Sequence, residues 1–432
     1  YSQGMQMRNR ALARSFATWS AAALLPAAAL AQPIVPPAPE LTNVPTDQNV
    51  LRFDAGANVE HHSNVTGLSN SVDPQPIYGK SSRSDTILRG TFGVAYDQMF
   101  SLQRLTLEAR LDPAKYFTYS QFDYLGYSGR VNLDWAVGNA LYGTLGLRAG
   151  QALTSVLSNA TGNRNLERRT TLYGSAGLRF TPSTSVFVGA DTTKLDNSED
   201  YFRSADNRVD AFETGIRYAP GTGTDMSLLY RHQKSDYPND QLFDSLGNVL
   251  PPGVSVNNSY KQNAVLVRMS VMPSEDTRIS GELGYTKRKY DSFSERDYSG
   301  PTALLTLAWR PTGAFYMNAE LERNIASTLY LTSNYIQVTE IRFMPVVVLT
   351  GKTRLNGRFG YSQQEYKGDT GLLATAGPVR KDDLYTYGVQ LAYDYSRGLA
   401  FTLDLRRLQR KSNYEGLKFS NNIIGVGVTA RF

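Results

Sequence analysis

Residues 421–432 read Asn-Asn-Ile-Ile-Gly-Val-Gly-Val-Thr-Ala-Arg-Phe, and this stretch decides the fold. Successive side chains of a β-strand point to opposite faces, so a period of two sorts the residues into two sets. Ile424, Val426, Val428, Ala430 and Phe432 fall on one side, and Ile423, Gly425, Gly427, Thr429 and Arg431 on the other. One face is apolar and the other is small or polar.

The same two-face pattern recurs upstream. Leu51, Phe53, Ala55, Ala57 and Val59 alternate with Arg52, Asp54, Gly56, Asn58 and Glu60, and Leu105, Leu107, Ala109 and Leu111 oppose Arg104, Thr106, Glu108, Arg110 and Asp112. Leu88 to Asp97, Arg130 to Trp135 and Leu141 to Ala149 follow suit. So do later segments, from Leu172 to Phe180 onward to Leu399 to Arg406. Leu51 to Glu60, Leu88 to Asp97 and Arg104 to Asp112 have about the 9 to 11 residues that a tilted membrane strand needs. The pattern predicts an all-β, transmembrane, antiparallel up-and-down barrel over residues 51–432 with about eighteen strands. Around Tyr335 to Gly351 a proline, Pro345, breaks an apolar run; it is expected at a strand end or bulge, and sixteen strands is the alternative count.

The connections alternate in the same sense. Short breakers such as Gly138-Asn139, Pro182-Ser183, Pro220-Gly221, Pro273-Ser274 and Arg397-Gly398 alternate with long polar segments such as 61–85, 151–168, 194–208, 234–260 and 363–383. Short turns are periplasmic in outer-membrane barrels, so both termini are expected in the periplasm. The amino-terminal end agrees: Arg8, Arg10 and Arg14 precede an apolar run, Ala21 to Leu30, and an Ala29-Leu30-Ala31 cleavage site. Residues 1–31 read as a signal peptide, with Tyr1 to Gly4 upstream of Met5 and Met7, and the Pro-rich 32–50 as a periplasmic linker.

Composition excludes several classes. The chain has no cysteine, hence no disulfide scaffold. Its formal charge of +6 includes the three signal arginines, which leaves too mild a basic balance to suggest nucleic acid. No stretch approaches 18 uninterrupted apolar residues, which argues against a helical membrane protein. Three histidines, His61, His62 and His232, are the only imidazoles. No nucleophile–base–acid arrangement, metal site or cofactor cradle is legible, and no enzyme activity is expected.

If the apolar face meets lipid, the other face lines the lumen. Parity puts Arg52, Arg89, Arg104, Arg110, Arg130, Arg148, Arg179, Arg217, Arg268, Arg278, Arg354, Arg358, Arg406 and Arg431 there, with acids including Asp54, Glu60, Glu108, Asp112, Asp134, Glu213, Glu282, Glu320 and Asp404. One reading has these groups neutralise one another and stiffen the wall. The other has a modest arginine excess guide an anionic or strongly hydrated polymer. Inward Tyr142 and Tyr173 are candidates for stacking on sugar rings. Tyr237, Tyr290, Tyr366 and Tyr414, each after a charged strand exit, are expected at the outer rim or in the aromatic girdle.

The final strand resembles the closing strand of bacterial outer-membrane barrels, where the last aromatic is part of the signal read by the assembly machinery; here that signal would be Val426, Val428, Ala430 and Phe432. The Pro-rich entry, the Asn-Val-Leu-Arg-Phe-Asp-Ala start, the Tyr-containing strand exits and the Gly-Val-Gly-Val-Thr-Ala-Arg-Phe end together resemble the EpsL-type exopolysaccharide-operon barrels. That resemblance implies polysaccharide export through an Arg- and Tyr-lined lumen, with inner-membrane and periplasmic export proteins as partners and lipid and lipopolysaccharide around the barrel. It brings no catalytic residues. A porin for small solutes and a surface adhesin or assembly anchor are the alternatives.

Overall fold

A computed structural model describes residues 50–154, 162–221, 223–239, 257–292, 294, 297–327, 335–367 and 379–432 of the chain. The signal peptide and linker expected over 1–49 lie outside these. Among the described residues there are eighteen strands: β1 (Val50–His62), β2 (Asp85–Phe100), β3 (Gln103–Tyr116), β4 (Tyr124–Val137), β5 (Leu141–Leu153), β6 (Leu166–Arg179), β7 (Thr184–Asn197), β8 (Asn207–Gly221) and β9 (Thr224–Asp236). The second half comprises β10 (Tyr260–Ser274), β11 (Thr277–Tyr290), β12 (Tyr298–Trp309), β13 (Phe315–Ser327), β14 (Tyr335–Val348), β15 (Thr353–Lys367), β16 (Lys381–Asp394), β17 (Leu399–Ser412) and β18 (Phe419–Arg431). Each strand pairs antiparallel with its sequence neighbours, and β18 pairs with β1 to close the ring. The closing ladder runs from Asp54 opposite Arg431 to His62 opposite Ile423. It ends in a reciprocal backbone pair: Phe53 N–H to Phe432 carbonyl at 3.2 Å and Phe432 N–H to Phe53 carbonyl at 2.9 Å. Closure leaves no unpaired edge, which is the condition for a sheet in hydrocarbon.

Because paired residues share a face, the register orients the wall. Phe92, Leu145, Leu228 and Ile424 all point outward and leave 55–58 % of their surfaces uncovered. No helix among the described residues is long and apolar enough to cross a membrane. The belt of exposed Leu, Val, Ile and Phe is therefore carried by strands alone, and a band of that size is stable only against an apolar surrounding.

Most strands hold 13–16 residues, longer than the ten or so read from alternation, because the ladders continue past the apolar band into charged residues. Tight turns join strands at one end: Gly138 (φ 57°) and Ser101 (φ 59°) supply the left-handed residues at two of them. The start of β1 and the end of β18 lie at this end too, since Val50 is opposite Asp97 near the β2–β3 turn.

Pro345 corrects the expectation of a strand end or bulge. It lies inside β14, opposite Met317, and no shift in register accompanies it. On its other side sits Gly357, where a Cβ would come within 2.9 Å of the proline ring. Pro113 in β3 meets Gly90 in the same way, at 3.0 Å. A side-chain-free neighbour accommodates each ring, so the strand continues through it.

Candidate functional site: the lumen wall

Every arginine expected inward lies at an inner register position, but most are already engaged. Arg406 ion-pairs with Asp404 and Glu60, and Arg89 Nε lies 3.5 Å from the same Glu60. Arg104 Nε donates to Asp97 at 2.9 Å, and Arg110 Nε donates to Asp112 at 2.8 Å. Arg217 grips Asp225 through two hydrogen bonds of 2.8 and 2.6 Å, and Arg354 Nη2 reaches both Asp394 oxygens at 3.0 Å. Arg52 and Arg278 are exposed near the short-turn end, where Arg278 contacts Met272 Sδ at 3.1 Å. Arg358 and Arg130 have no ion-pair partner among the described residues, and the buried Nε of Arg130 has no hydrogen-bond partner.

The most enclosed group is a quartet on β8–β11. Arg231 donates to Glu213 at 2.9 Å and to Glu282 at 2.8 Å, while Arg268 donates to Glu213 at 2.9 Å and to Glu282 at 3.0 Å. The Glu213 side chain is 0 % exposed and that of Arg231 4 %. Inward apolar residues Phe187, Leu229 and Leu266 pack beside it. Four charges stripped of water this far are tolerated only because each guanidinium finds two carboxylates and each carboxylate two guanidiniums. Beside the quartet a cavity of about 400 Å³ opens into the lumen, lined by Arg217, Arg278, Gln262, Thr302 and Thr306 among others.

On β5 and β6 the chain builds a different layer. Tyr142 faces Gly177 and Tyr173 faces Gly146 in register. A Cβ on Gly177 would lie 2.4 Å from the Tyr142 ring, and one on Gly146 would lie 2.3 Å from that of Tyr173. Each ring therefore lies along the wall over a bare glycine. Arg179 stacks over Tyr142 at 4.3 Å and Arg148 over Tyr173 at 4.9 Å. The hydroxyls are engaged as well, with Ser185 at 2.8 Å and with Asn132 at 2.8 Å. With 4–5 % of their surfaces exposed, neither ring offers a face to a sugar.

The mouth at the end opposite the tight turns is lined by aromatic side chains. Val65 and Tyr78 of the β1–β2 connection and Tyr119 and Phe122 of the β3–β4 connection pack on inward Ile87, Ala114 and Tyr116. Asp85 anchors them by accepting the N–H groups of Thr118 at 2.7 Å and Tyr119 at 3.0 Å. Burial pushes the Tyr78 phenol well above its ordinary pKa. Tyr237, Tyr290 and Tyr366 are buried rather than on the lipid side of the rim. Tyr290 packs with Tyr260, whose ring also stacks under Arg288. Only Tyr414 of the four expected rim tyrosines is exposed, at 42 %.

The inner wall also carries Asp97, which alternation had set opposite the apolar face of its strand, and charges that alternation did not reveal: Arg169, Arg231, Arg288, Arg342 and Arg410, with Asp191, Asp225, Glu322, Glu340 and Asp394. Several sit on strand extensions beyond the apolar band. Arg231 was hidden by inward Leu229, which turns Leu228-Leu229-Tyr230 into an unbroken apolar run. The added arginines and acids are nearly equal in number, so a modest arginine excess remains.

Histidines serve local structure. His62 Nε2 donates to Glu60 at 3.2 Å and its Nδ1 accepts from Asn421 at 3.1 Å, while His61 contacts Thr86 and His232 contacts Asn263. No group of three or more His, Asp or Glu side chains among the described residues is placed to hold a metal.

The carboxy-terminal part of this wall has counterparts among known sequences. Residues 274–432 match the family model described as Putative beta-barrel porin 2. The apolar belt, the closed ladder and this match place the chain in the outer membrane of a Gram-negative bacterium. No curated protein sequence matches. Among solved structures, the chain is similar to OccK2 (OpdF) of Pseudomonas aeruginosa, at 11 % identity and a TM-score of 0.45 over 88 % of this chain and 98 % of that one. Acinetobacter baumannii OccAB3 gives 9 % identity and 0.46 over 88 % and 99 %, and a BenF-like porin of Pseudomonas fluorescens Pf-5 gives 10 % and 0.44 over 88 % and 99 %.

Proposed function

We propose that the chain is a porin that admits small polar solutes by diffusion. The observation that carries this is an eighteen-strand closed barrel, apolar outside, whose inner face is polar and carries both signs of charge, many of them ion-paired. Barrels of 16–18 strands leave an aqueous channel. Polymer export drew on an arginine excess and on open tyrosine faces. About half of the inward arginines named above ion-pair with acids, and Tyr142 and Tyr173 are covered, so the porin reading is better supported. Lipid and lipopolysaccharide would cover the belt, and Phe432, 79 % exposed, would present the assembly signal.

Reconstitution tests this. Purified barrel in planar bilayers should give stepwise ion conductance, and liposomes should swell in small sugars but not in long oligosaccharides. Insertion without conductance would reject the porin reading. Deletion in the host should leave polysaccharide in the medium and on the surface unchanged; loss outside with retention in the periplasm would reinstate export.

A further inference from the structure

One ladder of the wall stops early. β12 pairs with β13 from Trp309 opposite Met317 to Ala303 opposite Arg323 and no further. Both strands run on: β12 keeps its register with β11 up to Tyr298 opposite Arg288, and β13 keeps its register with β14 up to Ser327 opposite Tyr335. Residues 298–302 and 324–327 therefore flank a split at the end of the wall opposite the tight turns. Local chemistry blunts both margins. Pro301 has no N–H to give β13, and its carbonyl accepts from the Tyr298 hydroxyl at 3.0 Å. The Ile325 N–H is taken by Asn324 Oδ1 at 2.8 Å. Margins whose donors and acceptors are missing or already used do not zip together. Continuing the register would also set Pro301 against Ile325, whereas Pro113 and Pro345 each meet a glycine.

Side chains alone close the split. Tyr298 belongs to the inner face of β12 and Tyr335 to the outer face of β14, yet their rings meet edge-on with centroids 5.8 Å apart. Rings from opposite faces touch here because the wall between β12 and β13 is interrupted. Ile325 shares a face with Leu321, which is 38 % exposed, but is itself covered to 4 %. Arg323, where the margin of β13 begins, reaches the Tyr298 hydroxyl; it has no ion pair among the described residues, and its buried Nε has no hydrogen-bond partner. On its own face the nearest charges are Lys287 of β11 and the Glu365–Lys367 pair of β15, while Glu322 points to the other face and shares Arg342 with Glu320 and Glu340. The cavity of about 400 Å³ beside the quartet extends to this point, where Thr302, Leu304, Arg323 and Asn324 line it. Outside, Leu305 and Leu321 are the last apolar pair before the split, and on β11 Tyr285, 56 % exposed, is followed on the same face by Lys287. An aromatic residue followed by a basic one marks the edge of a membrane belt, so the split leads from the lumen to headgroup level.

Resting on the porin reading, we infer that the β12–β13 split is a side portal through which small anionic amphiphiles pass between the lumen cavity and the leaflet at that end. Arg323 meets the anionic head, since a guanidinium suits a carboxylate or sulfonate. The apolar tail slips between the strand margins into lipid as Tyr298 and Tyr335 turn aside, and no backbone pair has to break. A wholly polar solute gains nothing by this route, because hydrocarbon offers its groups no partners.

The chain has no cysteine, so a single one reports access. Thr302→Cys, on the lumen side of the split, should be labelled in liposomes whose phosphatidylethanolamine carries a maleimide on its headgroup. Thr171→Cys, also on the inner face but between intact ladders to Arg148 and Thr193, should not be. A water-soluble maleimide should label both. Octanesulfonate, ionised at neutral pH, should slow the lipid-side labelling several-fold and ethanesulfonate should not, and Arg323→Gln added to Thr302→Cys should remove most of that protection. In a barrel that conducts ions, lipid-side labelling of both cysteines or of neither overturns the portal alone. Equal effects of the two sulfonates, or protection untouched by Arg323→Gln, overturn the assignment of an anionic amphiphile. A barrel that inserts, passes no ions and admits no soluble maleimide overturns the porin reading as well.

Discussion

Arg231 and Arg130 are both inward arginines near mid-strand, yet their surroundings make them opposites. Arg231 is locked between Glu213 and Glu282 with a side chain only 4 % exposed, whereas Arg130 faces another arginine across the ladder and keeps an unbonded Nε. The first ties strands together; the second has Glu108 across the β3–β4 ladder but forms no ion pair with it. Residue type alone does not distinguish a strut from a lining group. The acids within reach do.

Removing one member of the quartet should show the largest difference. Glu213→Gln leaves two buried guanidiniums sharing one carboxylate, and loss of about 3–5 kcal/mol is expected for a broken buried ion pair. A urea titration of the folded barrel in vesicles measures it; a midpoint near the wild type's would mean that the quartet adds nothing beyond packing. Next is the tyrosine layer. Gly146→Ala forces a methyl to within 2.3 Å of the Tyr173 ring, and overpacking of this kind costs about 1–3 kcal/mol. Adding Tyr173→Ala should recover part of that loss, a coupling that equilibrium unfolding of the double mutant would register.

Arg130→Gln should leave stability within about 1 kcal/mol of wild type or raise it, since it removes a like-charge contact and an unsatisfied donor. Its effect belongs in ion selectivity, and a large stability loss would erase the contrast with Arg231. Smallest of all, Lys194→Ala breaks an ion pair with Asp196 at 2.8 Å between exposed side chains, and a change under about 0.5 kcal/mol is expected. A clear shift in the urea midpoint would show that rim pairs matter to this barrel.

Much of the fold was legible because β-structure writes itself into sequence at period two. Val426, Val428 and Ala430 could be assigned to lipid before any pairing was known, and the eighteen-strand count followed from repetition of the same signal. Pro345 was misjudged because its accommodation depends on Gly357, a residue on the next strand. Tyr142 and Tyr173 were correctly turned inward, but their burial rests on Gly177, Gly146 and two arginines from other positions in the chain. Arg342 went unnoticed because it shares a strand with Pro345, where the register was least secure, and Glu340 was missed with it, although Glu320 on the neighbouring strand had been turned inward.

The sequence by itself determined which face of each strand avoids water, since alternation along one strand is a local property and apolar transfer acts on each side chain separately. Only the tertiary structure decided which inward charges cancel and which remain. That outcome depends on cross-strand register and on closure of the ring, and Coulomb interaction follows distance in space, to which distance along the chain is no guide.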